Sequence, residues 1–329
     1  MNSIFHLMTH TCMIYDNIMT LHTAEKDSVN GTFQVKHAEC PERITCIYKA
    51  LKDIGIKEIP SRKATWKEVE CAHSKEYCEQ LINDLKGTDC TGDMFHNKFT
   101  LPAALMAAGS TCELVNTILN TNSKITSGFA IVRPPGHHAC HDKWSGFCYL
   151  NNVMIASLSA LTRNPALKIL VVDWDIHYHS GSADIIKNSS FTAEQLVVFS
   201  MHRGDFFPGD DMSLTDSYYN GQVVNKEFYM TKRRKDIPGD MEYTHALAEF
   251  LVNYKKNYGS PDIIIVSCGF DAVKGDPIGG FRVSSNGYYS MTKQLREVCP
   301  NVALVLEGGY NCKIIPKCAV ACMNALKSY

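Results

Sequence analysis

What the 329-residue chain lacks narrows the field first. Its fourteen cysteines include no Cys-x-x-Cys pair, so neither a cysteine zinc site nor a dithiol redox motif is written in it. Several, such as Cys268 and Cys322, sit in apolar contexts, as free thiols of a reducing compartment do. No apolar run is long enough to cross a bilayer. The apolar residues around Met8 to Ile14 are broken by histidine and threonine and follow no basic stretch, which argues against a signal peptide. Gly-x-Gly-x-x-Gly and Gly-x-x-x-x-Gly-Lys loops are missing, so dinucleotide and P-loop sites are not expected. A formal charge of −1 gives no overall pull towards nucleic acid. Repeats, low-complexity stretches and an interdomain linker are also wanting. The expectation is one domain over residues 1–329.

What is present is a recurring unit. Five apolar, β-rich runs each stop at reactive or flexible residues: FAIVR before PPGHHA, ILVV before DWDIH, LVVFS before MHRGDFFPG, IIIVS before CGFDAVKGDP, and VALVL before EGGYN. Helical patterns such as Asn152 to Leu161 and Tyr243 to Tyr254 separate most of them. Strands alternating with helices predict an α/β fold around a mostly parallel sheet. In such sheets ligands bind outside the carboxyl ends of the strands, where these five clusters would converge. Upstream, Met13 to His22 reads as an edge strand and a loop. His37 to Ile56 reads as a helix with Pro41 in its first turn and Gly55 at its end. Residues 65–85 carry weak helical signals, Gly87 to Phe99 a polar loop, and Leu101 to Leu119 a helix.

The chemistry centres on Ile169 to Ser182. If the strand persists past Val172, Asp173, Asp175 and His177 share one face, and two carboxylates with an imidazole suit a divalent metal. Asp175, His177 and Asp271 would supply three ligands and leave positions open, as catalytic sites do. His137 and His138, paired after Gly136, would polarise each other so that one serves as a base near neutrality. Tyr310, after Gly308 and Gly309, offers a phenol to an oxyanion. Together these describe metal-assisted hydrolysis of a carbonyl. Singly, each residue has a plainer reading: Asp173 or Asp271 as a cap, His177 as a satisfied loop histidine, Tyr310 as a core tyrosine. Arg43, a cation opposing the dipole in a helix's first turn, is equally readable as functional or as solvated.

RPPGHHA (Arg133 to Ala139), GFCYLNN (Gly146 to Asn152), VVDWDIH (Val171 to His177), SCGFDAVKGDP (Ser267 to Pro277) and LEGGYN (Leu306 to Asn311) resemble the signature blocks of the zinc-dependent histone deacetylase family. The Asp-Trp-Asp and Gly-Phe-Asp-Ala versions are similar to class II members, and the likeness runs from about Tyr15 to the C-terminus. It implies a single-domain arginase/deacetylase α/β fold and hydrolysis of N-acetyl-lysine, on histone tails or other proteins, to lysine and acetate. It implies one catalytic Zn2+ on Asp175, His177 and Asp271, with His137, His138 and Tyr310 catalytic and His138 the base. Gly146, Phe147 and Phe207 would line a substrate channel, Asp93 (rather than Asp89) would hold the substrate backbone at its rim, and Arg43 would lie near an internal acetate pocket. A structural K+ would sit by Asp173, the His177 carbonyl and Ser200, with Asp173 also orienting His137. Ile278, apolar where polyamine deacetylases of the family carry glutamate, favours peptide substrates. The resemblance further implies a chromatin regulator of the nucleus or cytoplasm, with room for a multiprotein complex and without direct nucleic-acid or membrane binding.

Three departures stand out. His177-Tyr178-His179-Ser180 replaces the usual His-His-Gly-Asn or His-His-Gly-Asp, so a hydroxyl, Ser180, takes the place of the group that orients His138. Ala38 replaces a proline, and Glu227 to Asp240 looks inserted, its Lys232-Arg233-Arg234-Lys235 run reading as a nuclear import signal or a solvated loop. A catalytically weak acetyl-lysine reader and an arginase-like ureohydrolase are the alternatives.

Overall fold

The computed structural model describes residues 10–24, 37–87, 89–91, 94–209, 217–218 and 221–328. Its strands are β1 (Thr11–Ile14), β2 (Lys57–Glu58), β3 (Asp89–Thr91), β4 (Met94–His96), β5 (Ser127–Ala130), β6 (Ile169–Asp173), β7 (Leu196–Arg203), β8 (Ser217–Tyr218), β9 (Val223–Phe228), β10 (Ile263–Cys268) and β11 (Val302–Leu306). Its α-helices are α1 (Glu42–Asp53), α2 (Trp66–Val69), α3 (Lys75–Asp84), α4 (Thr100–Leu119), α5 (Asn152–Arg163), α6 (Ser180–Lys187), α7 (Asp240–Tyr258), α8 (Ser285–Val298) and α9 (Ile315–Lys327).

Among the described residues nine strands form one sheet in the order β2-β1-β5-β11-β10-β6-β7-β9-β8. All pair in parallel except β8, which runs antiparallel to β9. The five apolar runs occupy its centre as consecutive neighbours, β5, β11, β10, β6 and β7. Every residue of β5, β6, β10 and β11 is buried, because helices cover both faces and leave no polar side to alternate. From β6 the chain moves outwards through β7 to β9, then returns to lay β10 and β11 on the other side of β6. The β6/β10 pair is therefore the point where strand order reverses, and in open α/β sheets the binding crevice opens there.

Several local expectations give way to tertiary pairing. The strand near Met13 is not an edge: β1 lies between β2 and β5, and the outer place goes to the two-residue β2. Asn17–Leu21 is a 3-10 turn capped by Asp16 rather than a loop. Residues 65–85 form two helices, each started by its own side-chain cap, Thr65 and Ser74. The polar Gly87–Phe99 stretch contains the β3–β4 hairpin. Pro41 immediately precedes α1, and Gly55, at φ 71°, follows its end. The described cysteines are all free and most are buried. Among the described residues no helix is long and apolar enough to cross a membrane.

Candidate active site

The turn after β6 makes its own geometry. The strand ends at Asp173, and the turn beyond it is held because each acid accepts an amide hydrogen two residues on: Asp173 Oδ1 from Asp175 N (3.0 Å) and Asp175 Oδ1 from His177 N (2.9 Å). The expected persistence of the pleat is thus replaced by two side-chain-to-backbone bonds. They split the three residues by task. Asp173 faces His137 Nδ1 at 3.0 Å, while Asp175 and His177 face Asp271 from the neighbouring β10 loop.

Asp175, His177 and Asp271 are buried and offer ligand atoms that all lie within 4.8 Å of one another. His177 Nδ1 is 2.9 Å from Asp175 Oδ1 and 3.1 Å from Asp271 Oδ2. Asp271 Oδ1 accepts from Ile176 N, and Asp175 Oδ2 from Gly308 N at 2.7 Å. Asp271 Oδ2 alone lacks an aligned donor. Burial and the Asp175 charge push the Asp271 carboxyl up, the His177 imidazole only partly offsetting them, as expected of two carboxylates crowded together. Two hard oxygens and an imidazole nitrogen, one oxygen unpartnered, fit a divalent cation.

The tandem histidines hang beside this cluster, their ring centroids 4.0 Å apart. Their backbone is tied down by Glu307, whose Oε2 accepts from Gly136 N (2.7 Å) and His137 N (3.1 Å). Burial disfavours charge on both rings, but the Asp175 and Asp173 carboxylates overcome it for His137 and raise its pKa. His138 has no such pair. Burial, then His137 and His177, push it well below the usual imidazole range, so it is neutral and free to accept a proton. Its Nδ1 lies 3.2 Å from Ser180 Oγ, at the start of α6.

These groups line the floor of a cavity of about 690 Å³ whose wall includes Gly146, Phe147, Phe206, Phe207, Ile278 and Tyr310. Gly146 and Phe147 both have positive φ, 53° and 69°. A Cβ on Gly146 would come within 2.4 Å of the His138 ring, so only glycine lets the wall approach the base. Phe207 sets its edge to His138 (5.0 Å), and Phe147 to Tyr310 (6.1 Å). Burial pushes the Tyr310 phenol well above its usual range, Arg43 only partly offsetting this, so it stays a donor.

Arg43 lies behind Tyr310, its guanidinium carbon 5.0 Å from the ring centroid. Its donors go to the Gly309 carbonyl (2.7 Å), the Glu307 carbonyl and Glu39. It is fully buried, which settles the solvated reading against it. Ser200 is the register partner of Asp173, and its hydroxyl is 2.8 Å from His202 Nδ1. Asp93 lies outside the described residues.

Four residues that the sequence reading did not assign hold the site together. Glu307, inside LEGGYN, anchors the histidine loop. Asp276 accepts from Tyr310 N, Ile278 N and Gly279 N, tying the phenol's loop to the channel wall. Phe206 stacks on His177 at 5.0 Å. Glu39 sits between two fully buried arginines, 3.0 Å from Arg43 Nη1 and 2.6 Å from Arg133 Nε. Acidic residues beside the Gly-Gly-Tyr and Gly-Asp-Pro blocks were the available signal, but backbone-anchoring carboxylates show no spacing rule. Burial opposes charge on Glu39, yet Arg133 and Arg43 hold its carboxyl down to about 2, against an ordinary 4.5. A lowered folded-state value means that its stabilisation is complete above about pH 4.5 and is lost as pH falls towards 2. Glu39→Ala would strand two buried cations and is expected to cost about 3–5 kcal/mol, measured as a lower urea midpoint at unchanged slope.

The family model described as "Histone deacetylase domain" matches residues 37–326. Histone deacetylase 18 of Arabidopsis thaliana is 34% identical over 95% of this chain and 47% of its own length. Histone deacetylase 7 of Homo sapiens is 30% identical over 96% of this chain and 36% of its own. The crystal structure of the HDA15 HD domain superposes with a TM-score of 0.84 at 31% identity, covering 96% of this chain and 87% of that one. The chain spans about half the length, or less, of the curated relatives it matches.

Proposed function

Because this chain belongs to the histone deacetylase family, we propose that it is a zinc-dependent protein lysine deacetylase, hydrolysing N-acetyl-lysine in proteins to lysine and acetate. The observation that carries this reading is an aromatic-walled cavity that reaches a buried Asp-His-Asp cluster through His177, with His138 and Tyr310 in the same lining. Asp175, His177 and Asp271 would hold the zinc. When bound, zinc supplies Lewis-acid polarisation of the acetyl carbonyl and of the attacking water.

The remaining work falls to the chain's own groups. His138 takes the water's proton through the nitrogen not turned towards Ser180, a contribution of about 10²–10⁴. His137, kept charged by Asp175 and Asp173, stabilises negative charge in the transition state and helps to keep its neighbour neutral. Tyr310 donates to the developing oxyanion. The protonated imidazole of His138 then returns the proton to the leaving lysine amine. Phe147 and Phe207 flank the stem of the side chain, and burying its four methylenes is worth roughly 3 kcal/mol. Ile278 offers no counter-charge to a polyamine, which favours peptides. Arg43, beside any internal acetate pocket, also fixes the backbone from which Tyr310 projects. Potassium would sit between Asp173, the His177 carbonyl and Ser200; the pairing of Asp173 with Ser200 across β6 and β7 supports it.

The test is acetate release by zinc-reconstituted protein from acetyl-lysine and trifluoroacetyl-lysine peptides, with Ser180→Asp run alongside. A serine hydroxyl at 3.2 Å is a neutral partner for His138, and a charge-assisted bond exceeds a neutral one by about 1 kcal/mol. Ser180→Asp is therefore expected to raise turnover of the acetyl peptide about fivefold and that of the activated trifluoroacetyl peptide less. Wild-type protein that binds acetyl-lysine peptides yet releases acetate from neither substrate would leave the chain a reader, not an enzyme.

A further inference from the structure

Against Arg282, four residues beyond Ile278, runs a segment that the proposed chemistry leaves unused. Residues 231–236 are exposed throughout, and Lys232, Arg233, Arg234 and Lys235 are four consecutive cations. Among the described residues none of their side chains makes an ion pair or hydrogen bond, and Asp236 is the one acid in the run. The chain as a whole carries −1, so this positive field is local.

Its position is fixed from two sides. At one end Met230 N donates to Asp205 Oδ1 (3.4 Å), and a Cβ on Gly280 would lie 3.7 Å from Met230 Cε and 3.8 Å from Arg203 Nη1. At the other, Arg282 Nη1 donates to the Arg234 carbonyl and Arg282 N to the Pro238 carbonyl, each at 2.9 Å. The stretch that makes these contacts also puts Ile278 in the cavity wall. Arg203 lies over the ring of Phe206, another wall residue, at 4.3 Å. Arg203 and Gly280 thus link the Met230 end of the segment to the stretch that carries Ile278. The charge of Arg203 is already met by Asp205 at 2.9 Å; among the described residues that of the ridge is not.

We infer that Lys232 to Lys235 form a docking ridge for acidic residues flanking the acetyl-lysine, so that this site selects protein substrates with Asp- or Glu-rich surroundings. The inference rests on the deacetylase reading and narrows its substrate class. Lys232 and Arg233 lead into a 3-10 turn, Arg234–Asp236, so the four cations are gathered over less than the ~13 Å of an extended tetrapeptide and concentrate their charge on a few flanking residues of a bound peptide. Exposed pairs of this kind are individually weak, but three together are worth about tenfold in affinity and steer encounter at low salt.

The experiment uses the zinc-loaded full chain and three fluorescent peptides that share one central acetyl-lysine and differ only in flanks: Asp/Glu-rich, Ser/Gly, and Lys/Arg-rich. Dissociation constants and kcat/KM are measured at 50 mM and 500 mM salt, for wild type and for K232E/R233E/R234E/K235E. The acidic peptide is expected to bind about tenfold tighter than the neutral one at low salt and less than twofold tighter at high salt. The variant should abolish or reverse that order while handling the neutral peptide as wild type does. Equal binding of acidic and neutral peptides by the wild type would overturn the proposal. So would a short DNA duplex that displaces the acidic peptide more effectively than unlabelled acidic peptide, since the ridge would then be a nucleic-acid surface. If no peptide is turned over, the deacetylase reading fails, and the wild-type binding ratio with its salt dependence still decides the ridge.

Discussion

Asp271→Asn is expected to lower turnover of an acetyl-lysine peptide by at least ~10³, beyond the 10–100-fold typical of groups that only support a metal ligand, with bound zinc falling from one per chain to near zero. The amide keeps the shape of the carboxylate and can still accept from Ile176 N through its oxygen. What it removes is the charge at Oδ2, the buried atom without an aligned donor. The same change should leave metal-free protein as stable as wild type or more so, because it takes away one of two buried carboxylates that repel each other. The stabilisation that zinc gives to wild type, RT ln(1 + [Zn]/Kd), should shrink to nothing. Paired melting curves with and without zinc, together with elemental analysis, separate this from a folding defect. A variant that melts lower without metal, or retains full zinc, would show that Asp271 is structural.

Tyr310→Phe should lower kcat by about 10²–10³ with zinc content and melting temperature unchanged. The substitution removes one oxygen, and the ring has no reason to move. Its backbone is held by Asp276 through Tyr310 N at 2.7 Å, and its loop by Arg43 through the Gly309 and Glu307 carbonyls. The phenol remains protonated in its buried setting, so its loss removes a donor and not a charge. Peptide affinity should hold, since the lysine stem meets Phe147 and Phe207 at the wall. A phenylalanine variant of full activity would mean that the oxyanion is met elsewhere, and an equal loss of binding and turnover would mean that Tyr310 shapes the channel without serving the reaction.

Much of this was legible in the chain because it depends on local rules. Buried parallel strands must be apolar without alternation, so ILVV, IIIVS and VALVL could be read as sheet centre before any neighbour was known. Reactive residues at their carboxyl ends follow from parallel topology, and Asp175, His177 and Asp271 could be brought together on that ground alone. Period-two spacing predicted a common face for Asp173, Asp175 and His177, but the strand ends at Asp173 and that acid turns to His137 instead.

Tertiary structure decided what spacing cannot carry. Asp173 and Asp175 are two residues apart and chemically alike, yet one orients His137 and the other joins Asp271, because the turn is held by side-chain-to-amide bonds and not by continued pleating. The inner position of β1, the splitting of residues 65–85 and the hairpin within Gly87 to Phe99 depend on partners distant in sequence, which no local propensity encodes. Glu307, Asp276 and Glu39, besides nearer partners, each grip backbone or a cation brought from between 34 and 171 residues away. The amino-acid sequence determined which chemical groups this protein owns and which sheet they would crown. Only the folded chain set which of them touch, because contact among buried polar groups follows from packing in three dimensions and leaves no period in one.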